Sequence, residues 1–253
     1  MSSMFAALKI VLSLAVAVLV WEYGAPLAGI PSYVLPVPSV IAAKFWATRA
    51  AQASHILDTT ITTLLGLALA LLVGVFLALA VVYFRTLRAI MMPMLAAFNG
   101  IPKIAIAPLL VIWFGLEMES KVVMAFLLAM FPIFVNSVTG LGEVEPDIVD
   151  LARLSGGTPW RIFTHVRLYH AAPYIVDALK IAFPLALVGS IVGEFIGGNT
   201  GVGYLVLSGQ LQIDTPLVFA ALLSITILAT VGTGAIGLFE RLFLPWRPSL
   251  RQQ

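Results

Sequence analysis

Cysteine is absent from this 253-residue chain, which excludes disulfides, thiolate metal sites and cysteine nucleophiles. Histidine is nearly absent too. His55, His165 and His170 lie too far apart, and on what read as opposite sides of a membrane, to make a metal site. Charged residues make up only 10%, where a soluble domain carries roughly 25%. No Ser/His/Asp set or pair of carboxylates stands out, so the chain is not read as an enzyme. The Gly-x-x-x-x-Gly-Lys-Ser/Thr phosphate loop is missing as well. Gly232-x-Gly-x-x-Gly237 imitates a dinucleotide fingerprint, but no strand precedes it and it sits in an apolar run. Helix packing through small residues is the preferred reading.

What fills the chain instead is hydrocarbon. Apolar residues are 61% of it and its mean hydropathy is +1.06. No water-soluble fold of this size hides so much apolar surface, so the bilayer is its solvent. At roughly 20 residues per span, one domain covering 1–253 has room for about six helices. The first run is Met4–Trp21, read as a retained first helix rather than a signal peptide because its flank is hardly basic. Glu22–Asp58 follows, with Pro26, Pro31, Pro36 and Pro38. It is too polar and broken to span, and Ser39–Ala50 reads as an amphipathic helix on the membrane surface. Further spans are expected at about Thr60–Val82, Pro93–Gly115, Val122–Leu141, Tyr174–Gly193 and Pro216–Phe239.

Orientation follows from the basic residues beside each span. With the N-terminus inside, Lys9, Arg85, Arg88, Lys103, Arg153, Arg161, Arg167, Lys180, Arg241, Arg247 and Arg251 are cytoplasmic, and Lys44, Arg49 and Lys121 are outside. That accounts for the net charge of +2 without a nucleic acid, and it predicts cytoplasmic N- and C-termini. It also makes the long polar segment Gly142–Pro173 cytoplasmic.

Within that segment Pro146–Leu154 reads as a short helix, with Asp147 and Asp150 near its positive end. Ile148, Leu151 and Ala152 give it an apolar side. Gly156-Gly157 ends it, and Thr158-Pro159 opens a second helix through Trp160, Ile162, Phe163 and Val166. The product is a knob with an apolar edge. On physics alone it rests on the membrane surface or grips a soluble partner.

Asp150-Leu151-Ala152, Gly156, Val166 and Leu168-Tyr169 keep the spacing of a known pattern: Glu-Ala-Ala, three residues, Gly, nine residues, Ile, one residue, Leu-Pro. The segment resembles the EAA loop of bacterial ABC importer permeases. Leu151 stands in place of an Ala, and Tyr169 in place of the proline, so Pro173 is expected to make the turn back into the membrane. Ile101-Pro102 to Ala107-Pro108-Leu109, Ile112-Trp113-Phe114-Gly115 and Gly201-Val202-Gly203-Tyr204-Leu205 look like the branch for nitrate, sulfonate, taurine and related solutes, which includes vitamin precursors.

The resemblance implies an all-α membrane protein with the type I ABC importer permease fold. It implies a coupling segment in which Asp150, Leu151, Ala152, Arg153, Gly156, Trp160, Phe163, Val166 and Leu168 meet an ATPase. The implied partners are a second copy of the permease, two ATPase subunits, an external solute-binding protein and membrane lipid. This chain itself would hold no cofactor, ATP and Mg being bound by the ATPase. The implied place is the bacterial cytoplasmic membrane, and the solute a small anion. Leu154-Ser155-Gly156-Gly157, which imitates an ABC ATPase signature, is then only the glycine break of the knob.

Four residues are candidates for the pathway or its gate: Asn136, Ser190, Glu194 and Gly201. Polar groups such as Asn99, Asn136, Ser137 and Ser190 serve equally as glue between helices. Glu194 either faces a pore or is hydrated at the outer interface. Gly197–Gly201 is a flexible turn at the outer gate or a cradle of amides for an anion. Gly189, Gly193 and Gly197 recur at every fourth position and also read as helix packing through small residues, a seam between two copies being one place for it. Asp177 and Lys180 read as a local ion pair. An ion-coupled secondary transporter is the alternative, for which Glu194 is the one candidate relay.

Overall fold

The computed structural model describes residues 2–246, so Arg247 and Arg251, counted above on the inner side, lie outside the described residues. Every regular element in that range is helical, as lipid demands of a backbone that must satisfy its own N–H and C=O groups. The helices are α1 (Ser2–Leu27), α2 (Pro38–Tyr83), α3 (Arg85–Asn99), α4 (Ala107–Phe114), α5 (Met118–Gly142), α6 (Pro146–Leu154), α7 (Pro159–Ile162), α8 (Leu168–Gly197), α9 (Val202–Leu211) and α10 (Thr215–Phe243). A 3₁₀ turn at Lys103–Ile106 precedes α4, and a π-helical turn at Phe163–Arg167 joins α7 to α8.

Among the described residues four stretches are long and apolar enough to cross a membrane: α2, α5, Pro159–Gly197 and α10. A fifth is α3 with Lys103–Phe114, if that pair, bent by 82°, counts as one span. The apolar part described in α1, Leu12–Leu27, is shorter than these. The expected span Pro93–Gly115 is therefore bent in its middle. Pro102 has no N–H to continue a helix and disfavours the helical conformation at Ile101, so α3 stops at Asn99. Nor is Ser39–Ala50 a separate surface helix. After Pro38 there is no proline up to Tyr83, and the stretch forms the first turns of α2, whose 46 residues run ~69 Å at 1.5 Å each. The Gly197–Gly203 connection shortens to a few residues before α9, a helix too brief to register as a span.

The chain packs as two compact units. The first joins Met1–Asp58 with Thr200–Thr226. Ile56, Val202, Leu205 and Ala221 form its small core. Its polar ties are Lys44 Nζ to Asp214 Oδ2 at 2.5 Å, Ser224 Oγ to Gln52 Oε1 at 2.5 Å, and the Glu22 carboxylate, which accepts from both the amide and the hydroxyl of Ser39 at the start of α2.

The second unit, Thr59–Asn199 with Ile227–Gln253, is built around α5 and α8. Small residues let these backbones meet. A Cβ added at Gly189 would lie 2.7 Å from Ala125 Cα, one at Gly193 2.9 Å from Lys121 Cα, and one at Gly140 2.9 Å from Ala171 Cα. α2 approaches α5 in the same way: a Cβ at Gly66 would lie 2.9 Å from the Val122 carbonyl oxygen. Gly189 and Gly193 thus pack helix on helix, as their spacing suggested, and the seam they close lies inside one chain. Gly197 packs on Val111 and Leu116 of the same chain. Of the apparent dinucleotide fingerprint, Gly232 abuts the Phe183 ring, while Gly234 and Gly237 face open space.

Candidate functional site: the cytoplasmic knob and the buried acid

The knob forms as its sequence dictates. Pro146 opens α6 where its missing N–H is no loss, Asp147 lies in the first turn and Arg153 in the last. Its C-terminus closes by a Schellman motif. The Gly157 amide donates to the Ala152 carbonyl at 2.9 Å, and the Gly156 amide to the Arg153 carbonyl at 3.0 Å. This requires the left-handed conformation at Gly156, φ +81°. Gly157 is constrained differently: a Cβ there would stand 2.6 Å from the Ala152 oxygen. Thr158 then caps α7, its Oγ1 accepting from the Arg161 amide at 3.3 Å.

Val144, Val149 and Ile162 are buried together, with Ala152 and Val166 packed against them, so the knob has a core of its own. This revises the apolar side of α6. Val149 and Ala152 face inward. Ile148, Leu151, Leu154 and Trp160 point outward, exposed by 47, 66, 87 and 70%. Asp150 and Arg153 pair across the outer surface at 3.1 Å, an exposed contact of little energetic weight. Phe163 stacks at a tilt on Trp160, centroids 5.7 Å apart.

Two side chains missed by the sequence reading fasten the knob to the membrane helices. Arg167 Nη1 donates to the Leu141 carbonyl at 3.0 Å, with its guanidinium over the Tyr83 ring. His170 Nδ1 bonds the Gly140 carbonyl at 2.8 Å, which makes that nitrogen the donor. Both meet the last turn of α5, where carbonyls lack helical partners and cations are favoured. A Lys or Arg count registers Arg167 only as topology, and His170 carries no motif. The chain does not turn at Pro173, which lies inside α8; the irregular step is the π-helical turn before Leu168. Tyr169, in place of the motif's proline, stacks on Trp246 at 4.3 Å.

At the far end of α8, Glu194 has no exposed surface, which removes the reading of a hydrated interfacial acid. Thr59 Oγ1 donates to its Oε1 at 2.7 Å, and Ser190 Oγ stands 3.5 Å from the same oxygen. Ser190 in turn shares a short hydrogen bond with Thr62. The group clamps α2 to α8. Ser190 and Glu194 are thus brought together, but Asn136 is not with them. It lies ~16 Å along α5 from Ala125, which Gly189 touches, and its amide bonds the Pro132 carbonyl of its own helix at 2.9 Å. Ser137 Oγ, equally a candidate for glue between helices or for a solute contact, is buried without a hydrogen bond among the described residues. The Gly201 amide, φ +109°, donates to His55 Nδ1 at 3.0 Å, so it is not offered to an anion.

The local pair Asp177–Lys180 exists at 3.4 Å, but Lys180 is held closer by Glu240 Oε2 of α10, at 2.5 Å. Among the described residues no group of histidines and carboxylates could hold a metal.

Residues 66–244 match the family model for the binding-protein-dependent transport system inner membrane component. Similar proteins span the whole length. The riboflavin transport system permease protein of Chloroflexus aurantiacus is 35% identical over 96% of this chain and 91% of its own. The formylaminopyrimidine transport permease protein of Halalkalibacterium halodurans is 33% identical over 98% and 99%. The putative aliphatic sulfonates transport permease protein of Escherichia coli is 30% identical over 92% and 89%. In fold, the chain resembles an inward-facing structure of the MetNI methionine ABC transporter, with a TM-score of 0.65 at 19% identity over 78% of this chain and 97% of that one. This chain belongs to the family of binding-protein-dependent inner membrane transport components, the permease subunits of ABC importers.

Proposed function

We propose that two copies of this permease form one importer, that a separate ATPase docks on each knob, and that an external binding protein delivers the solute. ATP and Mg are bound by the ATPases; this chain supplies geometry. ATP binding draws the knobs together and rocks the helices outward, and hydrolysis returns them. The N-terminus and the end of α10 lie in the cytoplasm with the knob. The observation that carries this is the outer face of the knob. Leu151, Leu154 and Trp160 stay exposed on a segment whose own core, Val149 and Ile162, is already complete. Exposed aliphatic and aromatic anchors on a rigid support suit a partner's groove.

The solute is best read as a small, flat heteroaromatic molecule. Identity is 35 and 33% with permeases named for riboflavin and formylaminopyrimidine, against 30% for aliphatic sulfonates and 26% for taurine. A fixed site for an anion at the level of Lys180 is disfavoured, because Asp177 and Glu240 already hold that ammonium. A small anion, as the branch resemblance implied, is the second reading, supported by the sulfonate permease match.

The test is uptake by cells expressing the permease with its ATPase and binding protein. Labelled riboflavin, an aminopyrimidine and taurine are compared, with the ATPase co-purified. Uptake that survives loss of the ATPase but collapses when the ion gradient is dissipated would return the chain to the secondary transporters. Uptake of taurine alone would establish the anion reading.

A further inference from the structure

At the foot of the knob lies a cavity of about 720 Å³, within the ~300–1,000 Å³ of small-molecule sites. Tyr169, Tyr174 and Trp246 line it with the imidazoles of His165 and His170 and the carboxylate of Asp177. The rings are ordered by one another. Tyr169 and Trp246 stack 19° from parallel, and His170 leans on Tyr174 with centroids 5.5 Å apart. The opposite wall is the knob itself, through Val144 and Ile148. The transport cycle described so far gives this cavity no role.

We propose that the cavity is a cytoplasmic binding site for a flat heteroaromatic molecule with N–H donors, and that its occupancy restrains the knob and slows ATP turnover. The ligand class follows from the walls. Aromatic faces gain most from a planar π-system laid against them. Asp177 accepts N–H donors, and among the described residues no Lys or Arg lines the space, so phosphates and sulfonates are disfavoured there. Lys180 at 3.4 Å offsets part of the Asp177 charge, which favours a neutral amino-heterocycle over a full cation. A lipid acyl chain would leave a carboxylate and two imidazoles against hydrocarbon.

The effect follows from placement. Val144 belongs to the core of the knob and Ile148 to α6, while Tyr169, Tyr174 and Asp177 belong to α8. A ligand touching both fixes α6 against α8, and the proposed cycle needs the knob to move with its ATPase. Imported solute that accumulates inside would thereby restrain its own import. The ligand class coincides with the solute proposed above, and to that extent the inference rests on that reading.

The experiment uses the permease–ATPase complex in lipid nanodiscs without binding protein. Riboflavin serves as fluorescent probe and 4-amino-2-methylpyrimidine as competitor. The expected result is saturable quenching of riboflavin, displacement by the aminopyrimidine but not by taurine, and a several-fold fall in basal ATP hydrolysis. Trp246→Ala is expected to weaken binding by about tenfold, the scale of one lost stacking surface, and Trp246→Phe to keep most of it. Tyr169→Leu is the second variant should Trp246→Ala fail to assemble. Absence of quenching at millimolar riboflavin overturns the proposal, as does displacement by taurine, or binding unchanged in both Trp246→Ala and Tyr169→Leu. Heteroaromatic uptake without binding here would sink this inference alone. Binding here by a permease that imports only taurine would sink the solute reading alone.

Discussion

Substituting Gly156 separates a backbone requirement from a contact requirement. Among the described residues nothing lies within 4 Å of where its Cβ would stand, so bulk meets no neighbour there. The penalty lies entirely in φ +81°, which closes the Schellman motif. A left-handed residue with a Cβ costs about 1–2 kcal/mol, and a β-branched one sits at the upper end or beyond. Asparagine tolerates the region best after glycine. Gly156→Val should thus lower the ratio of closed to unclosed knob by roughly 5–30-fold, the factor for 1–2 kcal/mol. Gly156→Asn should lose only a few-fold. The assay is ATP hydrolysis by the reconstituted importer, stimulated by solute-loaded binding protein, with the amount of inserted permease measured beside it. Equal loss in Val and Asn would refute the backbone argument and point to direct contact of position 156 with the ATPase. Undiminished stimulation in Gly156→Val would refute the coupling role of the knob.

Two further outcomes follow from the same geometry. Thr59→Val removes one donor to a fully buried carboxylate, a bond of about 1.5–3 kcal/mol, and should lower the thermal midpoint of the purified permease; an unchanged midpoint would show that the Thr59–Glu194 bond does not hold α2 to α8. A cysteine placed at Arg161 should react with an impermeant reagent only from the cytoplasmic side, and one at Lys44 only from outside; labelling at 161 in intact cells would invert the topology and remove the docking argument.

The spans and the knob were legible because their signals are local. Apolar length marks a span whatever surrounds it, and Pro146, Gly156-Gly157 and Thr158-Pro159 punctuate the knob in turn chemistry that one sequence displays by itself. What was lost required a second helix. Gly189 and Gly193 advertise close packing but not against whom, and α5 of the same chain proved to be the answer. Which side of α6 turns inward is not legible because Ile148 and Leu151 are as apolar as Val149; only the buried Ile162 tells which of them faces in. Arg167, His170 and Glu240 act through carbonyls and a lysine far away in sequence, and no spacing rule reveals such partners. The kink before α4 was half visible, since Pro102 falls inside the apolar stretch Pro93–Gly115 and follows the end of α3.

These tertiary ties also change how motion at the knob can reach the other end of the molecule. The sequence suggests α8 alone as a rod, ~39 Å from Leu168 to Glu194 at 1.5 Å per residue. Yet α8 is not free to slide. Arg167 and His170 fix its approach to the last turn of α5, Gly140, Gly189 and Gly193 sit in backbone contact along α5, and Thr59 holds Glu194 to α2. Side chains packed this closely have no continuous range of intermediate positions, so displacing α8 against α5 would break all of these contacts together. The smaller cost is to move α5 and α8 as one body. In the proposed cycle, force applied at Leu151 and Trp160 is therefore carried by the pair. Glu194, bonded to Thr59, is then the pin that makes α2 follow.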